Sequence, residues 1–213
     1  MDPGYAEPVC LLALNLWFGW AHWGEPMEPA RGLAVSAAQK AVALDPNYAA
    51  ARWILGLMLT FERRWEEAET EFATALRLDP NEADAWAMTS NLAVFDGRPL
   101  EGIDRVKQAL RLNPRPPAWY YWLLGQAQYG AGQYAAAAKT LRRDETYRTE
   151  SRRILAASLA QLGRLDEAHG EARMFVMSNP HFTANHWANS QRYRDHSAIE
   201  HFVDGYLKAG LPE

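Results

Sequence analysis

Apolar side chains recur three and four residues apart along most of this chain, the spacing that gathers them on one face of a helix. One stripe holds Trp53, Leu57, Thr60 and Phe61, and the next holds Ala87, Asn91, Val94 and Phe95. A third holds Trp119, Trp122, Gln126 and Tyr129, and a fourth Arg153, Ala157 and Gln161. No alternating strand pattern bounded by turn dipeptides occurs, so the pattern predicts an all-α protein.

The predicted helices repeat. Asp45-Pro46 returns as Asp79-Pro80 and as Asn113-Pro114, 34 residues apart each time. Between these marks the residues stay in register. Leu55-Gly56, Trp65, Ala68, Phe72 and Ala75 belong to one unit, and Trp86, Gly97, Ile103, Val106 and Ala109 to the next. A third has Leu124-Gly125, Gly132, Tyr134, Ala137 and Leu141; a fourth has Leu155-Ala156, Gly163, Leu165, Ala168 and Ala172 and ends at Asn179-Pro180. A period of this length marks a helix-turn-helix unit that buries its apolar face only by stacking on copies of itself.

These positions resemble the tetratricopeptide repeat: a small residue within the first helix, Gly at the turn, a bulky residue after it, Ala in the second helix and Pro at the end. The resemblance implies a right-handed α-α superhelix forming one array over 1–213. It has a divergent first repeat over 1–48, repeats at 49–82, 83–117, 118–148 and 149–180, and capping helices over 181–213. Each mark also has a physical reason. Pro46, Pro80, Pro114 and Pro180 lack the amide hydrogen that a helix interior needs and stop the second helices. Gly97, Gly132 and Gly163 stand where the first helix ends, a place that favours left-handed backbone. Gly56, Gly125 and Ala156 read as points of close helix contact.

Three departures stand out. Arg63 occupies the place that Gly holds in the other turns. From Ala118 to Thr149 the period falls to 31, which predicts a short second helix at about Tyr134 to Arg143 and a polar link through Asp144-Glu145-Thr146. At the amino end, a first helix at about Glu7 to Phe18 and a second at Pro29 to Leu44 leave Gly19 to Met27 as an insertion. Its Trp20, His22, Trp23 and Pro26 are unusual for a solvated loop.

Composition narrows the function classes. With 48% apolar and 23% charged residues the chain is not disordered. A net charge of -4 without a basic block argues against nucleic acid as a partner. Arg142-Arg143 and Arg152-Arg153 read as solvated faces or helix-dipole partners. The longest apolar run, Val9 to Ala21, contains Asn15 and is too short to span a bilayer; Asp2 and Glu7 stand where a secretory signal has basic residues. Cys10 is the only cysteine. That fits a reducing, cytoplasmic setting and a small buried hydrophobe.

Catalytic constellations are missing. His181/His186 and His196/His201 are each five apart, which puts the members of a pair on different sides of a helix rather than on one metal. Gly130-Ala131-Gly132 belongs to a repeat turn and is no phosphate loop. Glu66-Glu67 and Asp166-Glu167 open second helices, where they favour the macrodipole. The reading is a non-enzyme with no cofactor and no metal.

What remains is the groove. In tetratricopeptide arrays the first helices line the concave face, so the resemblance places there Trp53, Leu57, Phe61, Asn91, Phe95, Trp119, Trp122, Gln126, Tyr129 and Arg153. Trp, Tyr and Arg anchor interfaces because they bury much area at small entropic cost. Asn91 lies where peptide-binding members of the family hold a ligand backbone. The lysines of members that clamp a terminal carboxylate have no counterpart here. An apolar or aromatic peptide, or a helix of the same polypeptide, suits this groove. The alternative is that these aromatics pack against a neighbouring or terminal helix. Self-association into a homo-oligomer also stays open.

The tail is expected to add a short helix within His181 to Tyr193. A second helix follows from Asp195-His196-Ser197 to about Ala209; its stripe of Ile199, Phe202, Val203, Tyr206 and Leu207 covers the end of the array. The closing stretch from Tyr193-Arg194-Asp195 to Gly210-Leu211-Pro212-Glu213, the Phe18-Gly19-Trp20 run and Lys40 to Pro46 resemble the carboxyl-terminal repeats of bacterial class III adenylate or guanylate cyclase-linked proteins. That resemblance implies a signalling role, with any cyclase domain upstream of a chain that starts in mid-array. Similar arrays follow winged-helix domains in bacterial regulators. The competing reading from another class is a small-molecule pocket or enzyme site built on the Trp20-His22-Trp23 loop. A deep enclosed cavity with convergent polar groups favours a small molecule, and an open channel favours a peptide.

Overall fold

The computed structural model describes residues 5–22, 27–143 and 148–213, and among these all regular structure is helical. Five antiparallel pairs follow one another: α1 (Glu7–His22) with α2 (Met27–Leu44), α3 (Ala49–Phe61) with α4 (Trp65–Leu78), α5 (Ala83–Phe95) with α6 (Pro99–Leu112), α7 (Ala118–Gly130) with α8 (Tyr134–Leu141), and α9 (Arg148–Gln161) with α10 (Leu165–Ser178). Two helices close the chain, α11 (Ala184–Ser190) and α12 (His196–Lys208).

The repeat marks perform the local work their chemistry suggests. At Asp45, Asp79 and Asn113 the side-chain oxygen accepts from the amide two residues on, at 3.0, 2.9 and 3.1 Å, bridging the proline and fixing the turn between repeats. Within each repeat, Gly97, Gly132 and Gly163 adopt φ of 80, 72 and 74°. The next amide then reaches back to the carbonyl five residues earlier: Arg98 to Ala93, Gln133 to Gln128 and Arg164 to Leu159. Arg63 closes the same loop, with φ 59° and Arg64 N–H bonded to Leu59 O at 3.0 Å. An arginine has been forced into a glycine's conformation, which costs about 1 kcal/mol.

Paired helices touch closely where small residues were expected. A methyl group on Gly125 would overlap the Leu141 side chain, and one on Gly56 would stand 2.9 Å from the Phe72 ring. First helices also pack on first helices: α1 on α3, α3 on α5, α5 on α7 and α7 on α9. They form the inner layer of the array, while α4 and α6 bridge to the repeat that follows.

Two expectations need adjustment. The first helix runs on to His22, so Trp20 lies on a helix and not in a loop, while the backbone at Glu28 is extended and α2 becomes regular from Pro29. Trp23 and Pro26 lie outside the described residues. The second is the tail, which does more than cover the end of the array. Helix α12 packs on α9 and α7, inner-layer helices both, so the carboxyl-terminal segment lies on the concave side.

Candidate binding site on the concave face

Phe61 and Phe95 end successive first helices, and the stacking of repeats brings them together. Their rings meet edge to face at 5.5 Å, Trp20 meets Phe61 at 4.9 Å, and Phe95 meets Tyr193 of the tail at 4.6 Å. Tyr193 in turn lies 5.8 Å from Phe202 of α12. One aromatic ladder thus crosses the concave face from the first repeat to the last helix.

The tail is held on the array by polar contacts. The Arg194 amide donates to the Phe95 carbonyl at 2.7 Å, and Arg63 donates to the Tyr193 carbonyl at 2.6 Å. The Arg194 guanidinium pairs with Asp96 at 2.7 Å and Glu66 at 3.0 Å, and lies 5.5 Å over the Trp65 ring. Gln126 donates to the Tyr193 hydroxyl at 3.3 Å. Burial pushes the Tyr193 phenol well above its ordinary range, so it stays neutral. Further along, His201 stacks on Tyr129 at 4.8 Å and 16°, and its Nε2 lies 2.8 Å from the Tyr134 hydroxyl.

Between the array and this tail a chamber of about 220 Å³ remains. Its array side is made by Trp17 and Trp20 of α1, Phe61, Asn91, Phe95, Trp122, Gln126 and Arg153. Phe182, Trp187, Phe202 and Tyr206 line the tail side, with Phe175 of α10 and Asn179 just after it. The Arg153 guanidinium lies 5.9, 5.6, 5.3 and 5.5 Å from the rings of Phe175, Phe182, Trp187 and Tyr206. Burial raises the Tyr206 phenol to about 12, and the neighbouring Arg153 charge opposes that rise.

Of the ten residues singled out from the stripes, six therefore surround one chamber: Phe61, Asn91, Phe95, Trp122, Gln126 and Arg153. Leu57 and Tyr129 are fully buried, and Trp53 nearly so. Leu57 and Trp53 belong to the packed interior, and Tyr129 lies under α12, its hydroxyl donating to the His201 carbonyl at 3.0 Å. Trp119 is half-buried and packs on Tyr120 at 4.3 Å. Of the chamber residues beyond Pro180, Phe202 and Tyr206 belong to the stripe expected to cap the array and not to the groove set, while Phe182 and Trp187 belong to neither; the aromatic density from Phe182 to Tyr206 is a readable sign of them.

The four glycine-type turns and three Asx turns in register decide the fold family, and a tetratricopeptide repeat family model matches residues 32–83 and 87–145. The chain belongs to the tetratricopeptide repeat family. Among solved structures, this tetratricopeptide protein is similar to YrrB, described as a repeat protein with an unusual peptide-binding site, at 23% identity and TM-score 0.56 over 82% of this chain and 96% of that one. It is similar also to PilW, a type IV pilus biogenesis factor, at 16% identity and TM-score 0.69 over 96% and 90%. A thermophilic tetratricopeptide protein from Thermus thermophilus matches at 18% identity and TM-score 0.67 over 95% and 99%. These likenesses establish the fold alone. No curated protein sequence matches the chain significantly.

Among the described residues no group of three or more His, Cys, Asp and Glu could hold a metal ion, and no helix is long and apolar enough to cross a membrane. Cys10 is buried, and that burial, with Glu7 beside it, raises the thiol to about 11. It packs as a small apolar group.

Proposed function

We propose that this tetratricopeptide array is a protein-binding module whose concave face takes a peptide or helix of a partner, or of another domain of the same polypeptide. The observation that carries the reading is the seat of Tyr193-Arg194. There the array contacts a non-helical backbone through the Phe95 carbonyl and Arg63, reads a side chain through Asp96 and Glu66, and buries a ring against Phe95. A partner segment of the form aromatic-basic suits the same contacts, entering where the tail now lies. The tail is then an intramolecular competitor, and the partner's apparent affinity is reduced by the fraction of chains whose tail is docked.

The peptide-binding site named for YrrB lends support by likeness of fold, and the resemblance to cyclase-linked carboxyl-terminal repeats supports a role in bacterial signalling. Site-specific photo-crosslinking in cells tests the reading. A crosslinker at Trp122 should capture a protein partner, and capture should rise in Arg63→Ala, which loosens the tail. A crosslinker at Lys107 on the outer helix α6 is the control; equal capture from both positions would remove the groove from the proposal.

A further inference from the structure

We infer that the chamber beneath the tail binds a small organic acid: an aromatic or similarly apolar ring carrying one carboxylate. The site exists with the tail docked, so the inference goes beyond the partner-binding reading and does not depend on it.

Sign is the first argument. Arg153 is the only charged residue among the described residues lining the chamber. Its neighbour Arg152 pairs with Glu171 at 2.5 Å, whereas Arg153 has no carboxylate partner among the described residues. Four rings surround the guanidinium, but ring faces do not accept the in-plane N–H bonds that a carboxylate takes in pairs. Its Nε is buried without an acceptor. The chain as a whole carries a net charge of -4, so this cation is a local exception.

Unsatisfied polar atoms are the second argument. The Asn91 side chain is only 4% exposed and its Oδ1 has no donor, and the buried Trp20 Nε1 has no acceptor. Buried polar groups are nearly always paired, so four orphans around one cavity, the Tyr206 hydroxyl being the fourth, point to an occupant that pairs them. Three can donate to a carboxylate, the Arg153 Nε, the Trp20 Nε1 and the Tyr206 hydroxyl, and Asn91 Oδ1 can accept from an N–H or O–H on the ring.

Size and access set the rest. An apolar protein cavity of about 150 Å³ can hold benzene, so about 220 Å³ has room for a ring with a short acidic arm. Most of the lining residues are aromatic, which suits a flat apolar body, and Gln126, Asn179, Ser190 and Gln191 add polar groups beside them. Phe182 and Trp187, with Phe202 and Tyr206 of α12, line the tail side. An occupant held between array and tail also stabilises the docked tail, because a ligand favours the state it binds.

The experiment uses the full chain and matched probes, phenylacetate with phenylacetamide and indole-3-acetate with indole-3-acetamide, followed by ligand-observed NMR and thermal unfolding. The acids should bind saturably and raise Tm, with the amides at least about tenfold weaker, since charge-assisted hydrogen bonds are roughly twice as strong as neutral ones. Arg153→Gln should abolish the preference for acid over amide, and Asn91→Ala should keep that preference while weakening indole-3-acetate, whose ring N–H can donate to Asn91 Oδ1, more than phenylacetate, which has no donor. Should Arg153→Gln loosen the tail, Arg153→Lys keeps the charge and should retain the preference at reduced affinity. Equal binding of acids and amides overturns the inference, as does the absence of any binding at millimolar probe. Binding of a peptide that ends in phenylalanine, where phenylacetate does not bind, also overturns it by assigning the chamber to a partner's terminus.

Discussion

Arg63 and Tyr193, 130 residues apart, are joined by a hydrogen bond of 2.6 Å from guanidinium to carbonyl. The same Arg63 holds φ 59° at the turn position where the other repeats use glycine. Backbone strain and tail contact therefore belong to one residue. Replacing it separates them: Arg63→Gly relieves strain of about 1 kcal/mol while losing a charge-assisted bond of similar or greater worth. Global stability should change little. Hydrogen exchange at Tyr193 to Ser197 should accelerate, however, while exchange in α3 and α4 stays slow. Arg63→Ala loses the bond and keeps the strain, so it should both loosen the tail and lower Tm.

That pair also shows what the sequence reveals and what it hides. Asp45, Asp79 and Asn113 act within two residues of themselves, and Gly97, Gly132 and Gly163 act within five. Local devices of this kind leave a periodic trace, which is why the array, its turns and the stripe carrying Phe61, Asn91, Phe95, Trp122, Gln126 and Arg153 are readable. The return of the tail onto the concave face rests on pairs such as Arg194 with Glu66, 128 apart, and Tyr193 with Gln126, 67 apart. Such pairs have no periodicity to betray them. Besides the aromatic density from Phe182 to Tyr206, one sign is negative: Arg63 breaks the glycine pattern, and its side chain holds the tail.

Tail docking should weaken in acid. Burial lowers the His201 pKa from 6.5, with Lys208 also lowering it and Asp204 opposing. The groups packed about the ring are Tyr129, Tyr134 and Phe202, none of which compensates an imidazolium charge. A folded-state pKa below the unfolded value means the contribution is fully present above about pH 6.5 and is lost as pH falls through the folded value. Protease nicking before α12 should rise below pH 6.5 in the parent chain. In His201→Phe, which keeps the stacking and removes the titration, that rise should vanish; an unchanged pH profile would remove His201 from the account.

Salt should act on the same docking through a different pair. Arg194 reaches Asp96 and Glu66 at 2.7 and 3.0 Å, with Glu66 largely exposed, so screening weakens the outer contact most. Arg194→Gln should make exchange protection of the tail lower and almost independent of salt between about 0.05 and 0.5 M, values chosen so that the screening length falls from above to below about 8 Å. Equal salt dependence in both proteins would place the effect elsewhere.

Stacking between repeats should depend strongly on Tyr120, which is fully buried and donates to Asp84 of the preceding repeat at 2.6 Å. Burial raises its phenol pKa, with the Asp84 carboxylate adding to the effect, so the donor proton is retained throughout the physiological range. Tyr120→Phe removes a hydrogen bond to a charged group and should cost about 2 kcal/mol, read as a lower urea midpoint at unchanged m-value. A loss confined to α7 and later helices by hydrogen exchange would show that repeats unfold separately.

Two glycines in similar helices should respond in opposite directions to the same added methyl group. Gly125 in α7 meets the Leu141 side chain of α8, and neither has room to give because both are buried. Gly125→Ala should therefore destabilise by about 1 to 3 kcal/mol through overpacking. Gly170 in α10 has nothing within 4 Å of the new carbon and ordinary helical backbone. Gly170→Ala should stabilise by about 0.5 to 1 kcal/mol through reduced unfolded-state freedom and higher helix propensity. Thermal unfolding of both variants measures the contrast, and a Gly125→Ala chain as stable as the parent would mean that α8, only eight residues long, shifts to absorb the methyl group.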